Sequence, residues 1–216
     1  MAISDIPGHL ALPAGGTGPG VLLLHGWWGL KPAFVAYAER LAQAGFVVFA
    51  PDLNGGAVVD TIPEAEALME QRDWQALGGL CLAAGAALRE HPAVRGAGLG
   101  VVGFSMGAAW STWLAANLPE VRAVSLCYGG RMVDFTQTSA AFLCNFAEQD
   151  DWEPLDGVHE LHAAMQAAGR EATLHLYPGA GHWFMEDDRP EYDPAAAALA
   201  WDRTLAFFQQ HLNSPA

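Results

Sequence analysis

Positive charge is scarce in this chain of 216 residues. Lys31 is the single lysine, and the ten Lys and Arg residues stand against 24 Asp and Glu, which gives a formal net charge of −14 at pH 7. Proteins that bind nucleic acid or an anionic membrane surface present an excess of Lys and Arg to the phosphates. We therefore expect no nucleic-acid partner and no membrane partner.

Cysteine is also rare and shows no pairing pattern. Cys81, Cys127 and Cys144 are odd in number, lie in apolar stretches and form no Cys-x-x-Cys motif, so we expect reduced, buried thiols. The N-terminus has neither the basic nor the apolar segment of a secretory signal peptide. Residues 96–119 are uncharged and long enough to span a membrane, but their glycines favour a buried strand and helix. These features predict a cytoplasmic protein.

Repeats and low-complexity linkers are absent, and 52% of the residues are hydrophobic. Residues 1–216 therefore suit one compact domain with a full core. Apolar runs predict strands at 21–25, 46–50, 99–104, 123–128, 141–146 and 172–177, and helical patterns lie at 33–44, 64–90 with a break near Gly78-Gly79, 108–118, 156–168 and 195–212. This alternation predicts an α/β fold with a mostly parallel sheet covered by helices on both faces. Ligands of such sheets bind at the carboxyl ends of the strands.

The pentapeptide Gly103-Phe104-Ser105-Met106-Gly107 matches Gly-x-Ser-x-Gly, the nucleophile elbow. The motif by itself is common in glycine-rich chains. Here it follows a predicted strand and precedes a predicted helix, the setting in which a sharp, strained turn exposes the serine hydroxyl at the top of the sheet. The context predicts Ser105 as a catalytic nucleophile.

A serine nucleophile needs a base and an acid that orients the base. Asp150 lies three residues after a predicted strand, and His182 lies in a glycine-rich loop after the last one. The order Ser, Asp, His is that of α/β-hydrolases. Asp151 is a rival for the acid on spacing alone, and an aspartate at such a loop can also serve as a helix cap. A surface-loop histidine is the alternative for His182.

The expected oxyanion hole consists of two backbone N–H groups, one from Met106 at the start of the helix and one from Trp27 in the loop after the first strong strand. We expect the cleft to be lined by aromatic side chains, namely Trp28, Phe104, Trp152 and Trp183, together with Trp27 and Phe184. His159 and His162 are one residue too close for the His-Glu-x-x-His zinc motif. We therefore expect no metal and no cofactor.

The chain resembles the dienelactone hydrolase family of the α/β-hydrolase fold over about residues 21–212. The matching segments are Leu24-His25-Gly26-Trp27-Trp28-Gly29-Leu30, residues 45–53, residues 101–107, Phe146-Ala147-Glu148-Gln149-Asp150, residues 177–182 and Ala200-Trp201-Asp202-Arg203-Thr204. The resemblance implies a single-domain α/β-hydrolase. Only residues 129–140 separate two predicted strands at the place where many such enzymes insert a lid. We therefore expect no lid domain, and an open cleft for small or medium substrates.

Two departures from the family bear on activity. Its best-known members have Cys as the nucleophile, where this chain has Ser105, and a Glu after the first-loop His, where this chain has Gly26. Both changes point from lactone cleavage toward ester hydrolysis. Family ligands often carry a carboxylate held by Arg. Arg131 follows a predicted strand end and is well placed to reach the cleft, and Arg72, Arg189 and Arg203 are further candidates.

The expected activity is thus hydrolysis of a small ester or lactone through an acyl-enzyme, by a monomer or weak homodimer. Lactonase, thioesterase and perhydrolase activities use the same residues. A non-catalytic binding protein on a hydrolase scaffold is the second class, since fold does not prove function, and a metal hydrolase is a third.

Overall fold

The computed structural model describes residues 2–212, except for the side chain of Ala97. Its strands are β1 Gly8–Ala11, β2 Gly18–Leu24, β3 Val47–Pro51, β4 Val94–Phe104, β5 Val121–Cys127, β6 Ala141–Ala147 and β7 Ala172–Tyr177. Its α-helices are α1 Pro32–Gln43, α2 Ile62–Glu70, α3 Trp74–Arg89, α4 Met106–Asn117, α5 Leu155–Ala167 and α6 Pro194–Leu212, and short 3-10 helices lie at Ile3–Asp5 and Phe135–Gln137.

The strands form a seven-stranded sheet in the order β1-β3-β2-β4-β5-β6-β7. β1 is antiparallel to β3 at one edge, and the other neighbouring pairs are parallel. The predicted α/β fold with a mostly parallel sheet is confirmed. The sequence prediction missed β1, whose four residues include Gly8 and Ala11 and carry little β-strand preference.

The core has two halves, one on each face of the sheet, because successive side chains of a strand point to opposite faces. On β2, Leu22 and Leu24 pack with α3, α4 and α5, whereas Val21 and Leu23 pack with α1 and α6. Both faces of the central strands are therefore apolar. In residues 2–212, no helix is long and apolar enough to cross a membrane.

The predicted helix break near Gly78-Gly79 is wrong. The chain leaves the helix between α2 and α3, at residues 71–73, and the side chain of Asp73 accepts hydrogen bonds from the N–H groups of Gln75 and Ala76. Such an N-cap starts a new helix at Trp74. Gly78 lies inside α3, where a Cβ would come 3.2 Å from the indole of Trp113 on α4. The glycine serves packing between helices.

The turn from β4 into α4 lies close against the backbone of β2. A Cβ at Gly107 would come 2.0 Å from the carbonyl oxygen of Leu24, and one at Gly103 would come 2.4 Å from the carbonyl oxygen of Gly107. A β-carbon never approaches backbone this closely, so only glycine fits either position. This close approach fixes the start of α4 against the end of β2.

We expect Gly107→Ala to destabilise the protein by about 3 kcal/mol or more, because the new methyl group forces the β4–α4 turn away from β2. Urea unfolding followed by circular dichroism measures this change. Gly79→Ala is the control, since a Cβ at that position in α3 meets no atom within 4 Å. It should gain up to about 1 kcal/mol from helix propensity. Equal effects of the two substitutions would contradict the close approach.

Candidate active site

Ser105 lies in the turn between β4 and α4 in a strained backbone conformation. Its φ of 50° and ψ of −112° fall outside the regions that L-residues usually adopt, and such residues persist where the surrounding structure fixes them. Its N–H donates to the carbonyl oxygen of Cys127 at the end of β5. The turn therefore holds the hydroxyl at the carboxyl edge of the sheet, as the elbow motif predicts.

The Ser105 hydroxyl lies 2.9 Å from Nε2 of His182. The Nδ1 atom of that imidazole lies 2.8 Å from a carboxylate oxygen of Asp150. Because a carboxylate only accepts, Nδ1–H is the donor, and Nε2 of the neutral ring is free to accept the serine proton. The side chains of His182 and Asp150 are 5% and 1% exposed, so the hydrogen bond between them is shielded from water.

The side chain of Asp150 contacts His182 and also caps the loop turn that follows it, so both predicted uses of this aspartate occur together. While Oδ2 contacts His182, Oδ1 accepts hydrogen bonds from the N–H groups of Trp152 and Glu153. The loop turn thereby orients the carboxylate. Its rival Asp151 is exposed. Burial, together with the negative charge of Asp150, raises the pKa of Glu153 to about 7, so this second carboxyl is mostly protonated only below that pH.

The loop that carries Trp27 is held by buried and partly buried polar contacts, of which the sequence analysis did not predict that of Asn54. The amide of Asn54 donates to the carbonyl oxygen of Trp27 over 2.9 Å, and Arg72 donates to Oδ1 of Asn54. His25 accepts from the N–H of Leu53 through Nε2 and donates through Nδ1 to Gly26. Burial lowers the pKa of His25 to about 4, which keeps the ring neutral and able to make both bonds.

Met106 is the first residue of α4. The first N–H groups of an α-helix have no acceptor within the helix and lie at the positive end of its dipole. The Met106 N–H is therefore a donor beside the Ser105 hydroxyl. In residues 2–212 the structure brings together no three His, Cys, Asp or Glu side chains that could hold a metal ion.

An aromatic cluster covers the imidazole. The rings of Trp183 and Tyr128 lie 4.8 and 5.1 Å from that of His182, and Trp152 lies 6.3 Å away. Trp27 contacts Trp152 edge-on at 5.1 Å. Of the predicted lining residues, Trp152 is 44% exposed, so Trp27 and Trp152 form the part of the cluster that a ligand can reach.

Four of the six predicted lining residues are buried and do not face the cleft. Phe104 is 1% exposed and packs against Phe34 and Tyr37 of α1, because the residue before Ser105 on β4 points to the opposite face. Trp28 is fully buried beneath the guanidinium of Arg189. Trp183 and Phe184 are buried as well, at 4% and 0% exposure. These side chains support the cleft from behind.

The four arginines proposed to hold a substrate carboxylate have different surroundings in the structure. Arg72 is bonded to the loop of Asn54, Arg189 stacks on Trp28, and Arg203 lies over the ring of Tyr177. Arg131 is exposed, and its guanidinium lies 5.8 Å over the ring of Trp110 on α4. Only Arg131 of these four is exposed next to a groove, between α3 and α4.

A buried carboxyl lies beside the first loop although the sequence has glycine there. Oε1 of Glu186 is 3.8 Å from the place of a Cβ on Gly26, and it accepts a hydrogen bond of 3.0 Å from the hydroxyl of Tyr128. Burial raises the pKa of Glu186 from 4.5 to about 8. This carboxyl thus favours its neutral form at pH 7 and fixes Tyr128, which packs on His182. No local sequence pattern marks this long-range contact.

This raised pKa predicts a loss of stability with increasing pH. The carboxyl of Glu186 ionises near pH 4.5 in the unfolded chain but near pH 8 in the fold, so its stabilising effect is complete below pH 4.5 and is lost as pH rises to about 8. Relative to Glu186→Gln, the wild type should lose at least about 1.4 kcal/mol between pH 5 and pH 9, the equivalent of one pKa unit.

Urea unfolding of both proteins at the two pH values measures this difference. Glu160→Gln, which removes an exposed carboxyl on α5, is the control and should track the wild type. A difference between wild type and Glu186→Gln that does not change with pH would contradict burial of an uncharged Glu186.

The model of the dienelactone hydrolase family matches residues 6–212. The protein usf of Aquifex pyrophilus is 30% identical over 96% of this chain and 94% of its own length, and a protein of Aquifex aeolicus provisionally named a carboxymethylenebutenolidase is 28% identical over the same shares. A crystal structure from Klebsiella pneumoniae, provisionally named a dienelactone hydrolase, superposes with a TM-score of 0.83 at 25% identity, over 95% of this chain and 93% of that one. The chain belongs to the dienelactone hydrolase family.

Proposed function

We propose that this chain is a serine hydrolase that cleaves small or medium carboxylic esters through an acyl-enzyme. The observation that carries the proposal is the hydrogen-bonded chain from the Ser105 hydroxyl through His182 to Asp150. Nucleophile, base and orienting acid are in contact in the order that acyl transfer needs. Membership in a hydrolase family supports the same class of reaction.

In the proposed mechanism, the Ser105 hydroxyl attacks the ester carbonyl while Nε2 of His182 takes its proton. Asp150 stabilises the imidazolium that forms. The N–H groups of Met106 and Trp27 hold the tetrahedral oxyanion. His182 then protonates the leaving alcohol, and in the second half of the cycle it activates the water that releases the acid from Ser105.

The size of the substrate follows from the loops. The connection between β5 and β6 is thirteen residues, 128–140, and contains one short 3-10 helix. In the described part of the chain it forms no lid over Ser105. Trp152 stays exposed at the mouth. A short connection beside the partly exposed Ser105 supports turnover of small esters rather than of lipid aggregates.

Lactone cleavage is the second candidate, because the Aquifex aeolicus relative is named for a butenolide substrate. A lactone is a cyclic ester, so the same residues perform the same steps on it. Comparing kcat/KM for p-nitrophenyl acetate and for an unsaturated γ-lactone ranks the two candidates. A thioester of acetic acid, assayed in the same way, tests the thioesterase alternative.

We expect Ser105→Ala to lower kcat for p-nitrophenyl acetate and butyrate by roughly 10⁴-fold or more, since the acyl-enzyme then cannot form. Ser139→Ala is the matched control, because this exposed serine lies between β5 and β6 and contacts Arg122. It should keep wild-type activity. Circular dichroism and labelling by a fluorophosphonate probe accompany both variants. A folded wild type that neither turns over nor labels would favour a non-catalytic binding protein.

Asn54 should act as a positioning residue for the Trp27 loop. In Asn54→Ala the carbonyl of Trp27 loses its hydrogen bond, and we expect kcat to fall about tenfold while KM changes less than kcat, because a misplaced oxyanion donor acts on the transition state. Asn117→Ala removes the same kind of bond, to Trp113 at the end of α4, and should leave kcat unchanged. An unchanged kcat in Asn54→Ala would exclude this role.

A further inference from the structure

A groove between α3 and α4 has the size and lining of a ligand site, and nothing in the reaction above uses it. Its volume is about 580 Å³, within the range of small-molecule pockets. Three indoles, two glycines and one arginine form most of its lining, namely Trp74, Trp110, Trp113, Gly78, Gly79 and Arg131. We call this surface the α3–α4 groove.

Its indoles form a continuous aromatic wall. Trp74 and Trp110 are nearly parallel, with centroids 6.3 Å apart and an interplanar angle of 21°, and Trp113 meets Trp110 edge-on at 5.2 Å. Trp74 is 47% exposed, which is unusual for so large an apolar side chain. A flat aromatic ligand gains offset stacking on this wall in addition to the area that it buries.

Glycine keeps the α3 side of the groove open. A Cβ at Gly79 would meet no atom within 4 Å, whereas one at Gly78 would touch the indoles of Trp110 and Trp113. Any larger side chain at Gly79 would project into free space at the groove. Glycine has a lower helix propensity than Ala at this position. Its lack of a side chain leaves the groove free of protein atoms.

A single positive charge lies at the rim. The backbone N–H of Arg131 donates to Thr112 on α4, and its guanidinium lies over Trp110. Within residues 2–212 this guanidinium forms no ion pair. In a chain with a net charge of −14, an exposed arginine above an indole wall selects for an anion that carries an apolar ring.

The groove opens at the same edge of the sheet as Ser105. Both α3 and α4 begin at the carboxyl edge, and Trp74 is the first residue of its helix. Trp110 follows Ser105 by five residues, which is about 7.5 Å along the helix axis. Gly129, two residues before Arg131, packs against the backbone of Ser105.

We propose that the α3–α4 groove binds an aromatic carboxylate, with the ring system on Trp74 and Trp110 and the carboxylate at Arg131. The site stands on the groove itself and does not depend on the serine chemistry. Its ligand is a small aromatic acid of naphthalene size.

The test is calorimetric titration of the full chain with 2-naphthoate and with its neutral analogue 2-naphthamide. Wild type should bind naphthoate more tightly than the amide. Gly79→Leu fills the groove and should weaken naphthoate binding at least about tenfold, which corresponds to the loss of a buried ring contact. Gly157→Leu is the matched control, since Gly157 lies on α5 and a Cβ there also meets no atom within 4 Å. It should bind as the wild type does.

Arg131→Gln should weaken binding of naphthoate about tenfold and that of the amide about twofold or less, because one charged contact is lost. Arg95→Gln removes an equal charge from the exposed start of β4 and should change neither. If Gly79→Leu does not fold, this pair of arginine variants decides the question.

Ser105→Ala should bind naphthoate with unchanged affinity, which separates the groove from the proposed catalytic centre. Loss of binding in Ser105→Ala would place the acid at the serine and overturn the proposal. So would the absence of binding to wild type at millimolar ligand, or equal binding by Gly79→Leu and Gly157→Leu. A folded wild type that binds naphthoate but hydrolyses no ester would overturn the proposed function alone.

Discussion

The structure of the site depends on one close approach, that of the β4–α4 turn to the backbone of β2. Gly107 lies so near the carbonyl of Leu24 that no β-carbon fits between them. The strained φ and ψ of Ser105 persist because this packing and the hydrogen bond from its N–H to Cys127 fix the turn. The turn directs the hydroxyl to the edge of the sheet where the loops of Asp150 and His182 end. Without the approach, the serine would relax and the imidazole would lose its partner.

Around this turn, two buried titratable groups that favour their neutral forms at pH 7 support the site. Burial lowers the pKa of His25 to about 4 and raises that of Glu186 to about 8, so each group can be buried without an opposite charge. One orients the first loop through Leu53 and Gly26, and the other holds Tyr128 against His182. The rigidity of the reacting groups thus comes from hydrogen bonds that persist across the neutral pH range.

Local sequence pattern predicts the position of the elbow and of the two loops that carry Asp150 and His182. Each of these segments follows a buried parallel strand, and the carboxyl ends of such strands lie at the same edge of the sheet. The pattern was insufficient for β1, which is short and weakly patterned, and for the start of α3, where the Asp73 cap outweighed the glycine pair. Pattern also does not say which face a side chain takes. Phe104 belongs to the core for that reason. The contacts of Asn54 and Glu186 join distant segments, and no local spacing encodes them.

The buried carboxyl of Glu186 bears on the choice of base. The segment after His182 brings this carboxyl beside Gly26, where a longer side chain would otherwise reach from the first loop. Because burial keeps it protonated below about pH 8, it is a poor proton acceptor at neutral pH. In the proposed reaction, the hydrogen-bonded acceptor for the Ser105 proton is therefore Nε2 of His182. A serine nucleophile and an uncharged carboxyl beside Gly26 are consistent with each other, because a hydroxyl that is activated by His182 does not need a negative charge at the first loop.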